Sequence, residues 1–406
     1  MDNPYLLWFP RTTRYDRCLT PSKIGQRDMP TPAPYAHWML REIHEQPATL
    51  AATLDHYLDR DGFRDEVCAP LRAWLRSAQD EIVIAASGSS RHAGMCAELL
   101  IEDLSGIAVD VEYASEYCYR SEKALKDAAV LVVSQSGETA DTLAALRKAT
   151  AAGHRTLAIA NVAHSTMARE ATVSFPTLAG IERAVPATKS FTAQLLNLLL
   201  LALLAAESRE CFGEGELKSR LADLATLPAM VAAQLPRWEQ SVRAVSEHYR
   251  TAASFLFLGR GIHYPIAREG SLKLKESSYL HAEGYPSGEL KHGPNALVSE
   301  GIPLVMIATV DRSDRSDNGS VERYEKTLAL MRDMRAQRAN ILAIANSGDT
   351  AVAALATHTI FVDETREELL PICEVIPLQL LAYFIAIANG IDVDHPRNLT
   401  KAVLSE

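Results

Sequence analysis

The sequence is short of cysteine, and what cysteine it has is unpaired. Cys18, Cys68, Cys96, Cys118, Cys211 and Cys373 are scattered with no CxxC spacing, which excludes a thiolate zinc site and a disulfide framework. They read as buried or incidental thiols in a reducing cytosol. Positive charge is also scarce: 41 Lys and Arg face 51 Asp and Glu, a net charge of −10. A nucleic-acid partner is therefore not expected, since it would favour a basic face. A small anionic ligand stays open, because a pocket can be positive on an acidic protein. No apolar run is long enough to span a bilayer comfortably. The longest, Phe191 to Ala206, carries Gln194 and Asn197 and reads as a buried core helix. Asp2, Pro4 and Pro10 stand where a signal peptide would be apolar, so a cytoplasmic protein with no membrane partner is expected. There is no Walker lysine and no GxGxxG, which disfavours nucleotides. There is no metal-ligand constellation either, and neither a metal nor a cofactor is expected.

What is present is 48% hydrophobic and 23% charged, the composition of a soluble globular protein. At 406 residues it is long for one core, so two domains are expected. Met1 to Pro34 holds several prolines and no helical or strand period, and reads as an irregular arm. A helix is predicted from near Tyr35 to Pro47, and a second from about Ala48 to Asp59. Short apolar strands then alternate with helical stretches. Glu81 to Ala86, Ala129 to Val133, Thr156 to Ala160 and Val173 to Pro176 are the predicted strands, with a helix from about Ala140 to Ala152.

The second half repeats the plan. Phe255 to Leu258 answers the first strand, and Pro303 to Ala308 the second. The clearest echo is Thr156-Leu157-Ala158-Ile159-Ala160-Asn161 against Ile341-Leu342-Ala343-Ile344-Ala345-Asn346. The expected fold class is α/β: two tandem domains, each a parallel sheet flanked by helices. The boundaries are an arm over 1–34, a first domain with N-terminal helices over 35–235, a second over 236–390, and a tail over 391–406.

Two stretches carry chemistry. Ser134-Gln135-Ser136-Gly137-Glu138-Thr139 leaves a predicted strand and enters a predicted helix. That is the place at a sheet's carboxyl edge where ligands bind, beside a helix N-terminus that favours anions. Its hydroxyls, with Ser89 and Ser90 after the first strand, suit one phosphate monoester. The plainer reading is helix N-capping by Ser and Thr. The second stretch, Glu269 to Pro294, reads as a helix plus loop. Lys273 and Glu276 share a helix face, and Lys291-His292-Gly293-Pro294 puts a histidine on a turn. A carboxylate and a histidine together suit sugar ring opening and proton transfer between neighbouring carbons. The plainer readings are an ion pair for Glu276 and a structural turn for His292.

These two stretches resemble the sugar-isomerase (SIS) family, most closely the isomerase halves of the amidotransferases that make glucosamine 6-phosphate. Arg41-Glu42-Ile43-His44-Glu45-Gln46-Pro47, Thr188-Lys189-Ser190-Phe191-Thr192 and the tail Asp392 to Lys401 strengthen the resemblance, which covers roughly Tyr35 to Glu406. It implies that Ser134, Gln135, Ser136 and Thr139 bind phosphate, assisted by Ser89 and Ser90. It implies that Glu276 shuttles the proton between C1 and C2, that His292 opens the ring from a neighbouring subunit, and that Lys401 forms a Schiff base with the ketose. Glu269, Lys273, Val185 and Arg397 fall on substrate-binding or orienting positions, and the tail on a catalytic one.

The implied reaction is interconversion of fructose 6-phosphate and glucosamine 6-phosphate by a homodimer. The family's glutaminase domain has its cysteine directly after the start methionine, whereas this chain has Asp2 and too few residues before Tyr35 to hold that domain. Nitrogen is therefore expected from free ammonia or from a glutaminase on a separate chain. Ala187 also stands where the family usually has Ser. A glucosamine-6-phosphate deaminase and a non-catalytic sugar-phosphate sensor are the alternatives.

Overall fold

The computed structural model describes residues 31–78, 81–121, 128–313 and 319–403. Most of the expected arm, Cys18 and the last three residues of the tail lie outside them.

Helix α1 spans Trp38–His44, α2 Gln46–Tyr57 and α3 Asp65–Ser77. Pro47 does not end a helix as its ring suggested. It sits in the first turn of α2, where a missing N–H costs nothing.

The first sheet follows. It runs through β1 (Glu81–Ala86), α4 (Gly88–Ser105), β2 (Ala108–Tyr113), α5 (Ala114–Tyr117), β3 (Ala129–Ser134), α6 (Ala140–Ala151), β4 (Thr156–Ala160), α7 (Thr166–Glu170) and β5 (Val173–Ser174). Its strands pair in parallel in the order β2-β1-β3-β4-β5. The long helices α8 (Lys189–Ser208) and α9 (Glu216–Tyr249) lead to the second sheet.

The second unit comprises β6 (Ser254–Gly259), α10 (His263–Ser278), β7 (His281–Pro286), β8 (Leu304–Ala308), α11 (Gly319–Ala336), β9 (Ile341–Asn346), α12 (Thr350–Leu355), β10 (His358–Val362) and α13 (Leu370–Ala388). Its order, β10-β9-β8-β6-β7, is that of the first sheet with the strands renumbered. The duplication read from the echo of β4 in β9 is thus a duplication of topology.

Helix α8 and the span Glu367–Ala388 that contains α13 are long and apolar enough by composition to cross a membrane, but the most apolar stretch of each is 94% buried inside the protein. They are core helices. Helix α8 lies against α4, and α13 lies against α10 and α9. Helix α10 of the second unit also packs on α4 of the first, so the two units meet along helices that follow their first strands. One apolar cluster runs through both, from Met39 to Val393.

Candidate active site

The cleft opens where β1 and β3 part, the switch point of the first sheet. It measures about 130 Å³ and is lined by Ser87, Ser89, Ser90, Val133, Ser134, Gln135, Ser136, Thr139, Thr142 and Lys401. Every predicted phosphate contact therefore shares one wall with a lysine from the far end of the chain.

The hydroxyls are not spent on capping. Thr139 is the N-cap of α6 and Ser87 that of α4, yet neither side chain caps its helix. Thr139 Oγ1 instead lies 3.1 Å from Ser134 Oγ, which also accepts from Gly137 N at 3.1 Å. Ser136 Oγ accepts from Glu138 N at 3.2 Å. Gly137 has φ +65°, and a Cβ there would stand 2.1 Å from Ser165 Oγ, so the loop requires glycine.

The tail closes over this loop. Val403 O accepts from Ala140 N at 3.0 Å, across the first turn of α6. Asp394 accepts from Trp38 N and Met39 N, both at 2.8 Å, and its carbonyl accepts from Val185 N at 3.0 Å. Tyr279 OH approaches Arg397 N at 2.7 Å, with the Arg397 guanidinium 4.2 Å from the Tyr279 ring. Val185 and Arg397 thus hold the tail and do not line the cleft.

Lys401 Nζ donates to Glu182 Oε2 at 2.5 Å and to Ala184 O at 2.7 Å. Glu182 is buried and also accepts from Ser190 Oγ at 2.6 Å, Thr188 N at 2.9 Å and Ser190 N at 3.1 Å. Burial works to raise its carboxyl, and the Lys401 charge and these donors outweigh burial and hold it low. Glu42, on α1, accepts from Arg183 N and from Ala184 N. Burial, then repulsion from Glu182, pushes Glu42 up to about 7.

A second buried network crosses the α4–α10 seam. Glu269 Oε1 accepts from Ser89 Oγ at 2.8 Å, and Oε2 lies 2.8 Å from His92 Nδ1. Lys273 Nζ stands 3.4 Å from Glu269 and 2.5 Å from Glu276. Burial opposes the charges of Glu269 and Lys273. Lys273 still keeps Glu269 acidic, and Glu276 and Glu269 raise Lys273. Glu276 therefore does form the ion pair of the plainer reading. Its side chain is 23% exposed while that of Lys273 is 1% exposed, so the carboxylate faces out of the seam.

The histidine turn differs from expectation. Glu269 to Pro294 is not one helix and loop: α10 stops at Ser278, where Tyr279 takes φ +60°, and edge strand β7 follows. His292 ends a 3₁₀ helix, Ser287–His292, is exposed, and is not among the residues lining the cleft. The structure brings Ser89, Ser90, Ser134, Gln135, Ser136, Thr139 and Lys401 together, and links Glu269, Lys273 and Glu276 to them through Ser89. It does not bring His292. Glu182, Glu42 and His92 were missed by sequence reading. Only the stretch Glu42-Ile43-His44-Glu45 hinted at one of them.

Two tandem parallel sheets with a hydroxyl-lined cleft at the first switch point define the class. The chain belongs to the SIS domain family, whose profile matches residues 75–204 and 248–388. It is 41% identical over 382 residues to the glutamine–fructose-6-phosphate aminotransferase (isomerizing) of Chlorobaculum tepidum, and 42% identical over 373 residues to that of Pseudomonas aeruginosa. Each alignment covers 92% of this chain, which spans only 59% of the length of either relative. The solved C-terminal domain of glucosamine-fructose-6-phosphate aminotransferase from Francisella tularensis superposes with a TM-score of 0.82 at 34% identity, covering 90% of this chain and 100% of that one. A glucosamine-6-phosphate deaminase from Thermotoga maritima shares the fold, with a TM-score of 0.65 at 21% identity over 90% of this chain and 99% of that one.

Proposed function

We propose that this protein interconverts fructose 6-phosphate and glucosamine 6-phosphate by ketose–aldose isomerisation. The observation that carries this reading is that Lys401 lines the same cleft as the Ser134–Thr139 loop. A phosphate held by Ser134, Gln135, Ser136, Thr139, Ser89 and Ser90 would leave the sugar carbons of an extended hexose for Lys401 and Glu276. Lys401 supplies an amine able to condense with a C2 ketone. Glu276, a carboxylate partly open to the solvent side, carries the proton between C1 and C2. Glu269 and Lys273 orient it, and Val185 and Arg397 hold the tail that bears Lys401.

His292 acts from a second copy of the chain in a homodimer, which suits its exposure and its place outside the cleft lining. The protein works in the cytoplasm. Deamination of glucosamine 6-phosphate is the same chemistry reversed. The deciding assay follows ammonia release from glucosamine 6-phosphate beside synthesis from fructose 6-phosphate and ammonium. Turnover in neither direction, with either sugar phosphate still bound, would replace this reading with a sensor.

A further inference from the structure

An ammonium cannot attack a carbonyl, so a condensing Lys401 must first lose a proton. Among the described residues, the carboxylate that touches its Nζ is Glu182, at 2.5 Å, the other contact being the carbonyl of Ala184. We propose that Glu182 is the general base for Lys401, with Glu42 as the second carboxyl that makes the transfer favourable. This rests on the reading of Lys401 as the condensing lysine.

The surroundings of Glu182 carry the argument. Its side chain is fully enclosed, whereas that of Lys401 is 25% exposed and reaches from Glu182 into the cleft. The charged groups around it come from three elements. They are Lys401 of the tail, Glu42 of α1 and Lys273 of α10, with Lys189 at the start of α8 acting on the neighbouring Glu42. Lys189 is already paired with Glu45 at 2.7 Å, and Lys273 with Glu276 at 2.5 Å. If Lys401 left toward the sugar as an ammonium, Glu182 would stay behind as a buried anion beside Glu42. That is costly, and a neutral carboxyl there is not. Leaving as a free amine, with the proton kept on Glu182, removes the penalty. Above about pH 7, where Glu42 is ionised, its repulsion strengthens the preference.

The step balances. Lys401–NH₃⁺ gives one proton to Glu182, and its lone pair forms the bond to C2. The carbonyl oxygen becomes the carbinolamine hydroxyl after taking a second proton from the same nitrogen. Glu182 returns its proton to that hydroxyl, which departs as water, leaving a protonated imine. The proton on the imine is the third of the original ammonium, and Glu182 ends ionised as it began.

The test is reductive trapping with fructose 6-phosphate and borohydride, read by mass spectrometry and peptide mapping, across pH 6 to 9. Wild-type protein should be labelled at Lys401. In Glu182→Gln the initial trapping rate at pH 7 should fall by about a hundredfold and recover toward alkaline pH, where the free amine forms unaided. Fructose 6-phosphate binding, measured by calorimetry, should be unchanged, and Glu182→Asp should restore part of the rate. A folded Glu182→Gln that traps at the wild-type rate, with the wild-type pH profile, overturns the proposal. If Glu182→Gln does not fold, Glu182→Asp and Glu42→Gln carry the test, and wild-type rates and profiles in both overturn it equally. An unlabelled wild type refutes Lys401 as the condensing lysine, and the proposal with it, before any variant is compared.

Discussion

The ammonium of Lys273 lies 2.5 Å from Glu276 Oε2 while its side chain is 1% exposed. The same ammonium is 3.4 Å from the enclosed carboxylate of Glu269. One buried cation thus holds two carboxylates, Glu269 fully enclosed and Glu276 partly exposed.

Glu276→Gln keeps the shape of the side chain and removes its basicity. Isomerase turnover is expected to fall by about 10² to 10⁴ while fructose 6-phosphate still binds. Steady-state kinetics beside calorimetry check this, and unchanged turnover would remove Glu276 as the base.

Lys273→Met takes away the cation and leaves Glu269 buried with Ser89 and His92 as its remaining partners among the described residues. The folded state is expected to lose about 3–5 kcal/mol, because an uncompensated buried charge is left behind. Urea unfolding followed by fluorescence measures it. A loss below about 1 kcal/mol would show that Glu269 is solvated or protonated in the folded protein.

Gly137→Ala forces a side chain into left-handed backbone beside Ser165. A cost of about 1–3 kcal/mol is expected, with the phosphate loop displaced and KM for the sugar phosphate raised more than kcat is lowered. An unchanged KM would separate that loop from phosphate binding.

Glu42 gives a pH signature. Its folded carboxyl titrates at about 7 rather than at its ordinary value of 4.5. Between those two pH values the folded state holds a proton that the unfolded state has released. Stability therefore falls as pH rises through this window, by about 3 kcal/mol in all from this group. Glu42→Gln should flatten the fall, so the variant gains on wild type at pH 8 and not at pH 4. Melting curves across that range decide it, and parallel curves for the two proteins would show that Glu42 titrates normally.

The sequence by itself determined the α/β plan, because β1, β3, β4, β8 and β9 are buried on both faces and write themselves as unbroken apolar runs. Of the edge strands, β5 was read from Val173 to Pro176, while β2, β7 and β10 were not. In β2 burial alternates, and β7 reads His-Ala-Glu-Gly-Tyr-Pro, so neither shows an apolar run. The Ser134–Thr139 loop was legible, since a hydroxyl-rich turn after a buried strand is a local pattern. Phosphate binding was already its reading from sequence, and that Thr139 and Ser87 do not cap their helices only the structure decided.

Tertiary structure alone decided what Lys401 and Glu269 meet. Glu182 lies 219 positions from Lys401, and Ser89 180 from Glu269. No local period encodes such pairs. They arise because the tail is pinned to α1 and Val185, and because α10 packs on α4. Partners then set the charges: Lys401 and Lys273 hold Glu182 and Glu269 ionised against burial, while burial and repulsion from Glu182 lift Glu42.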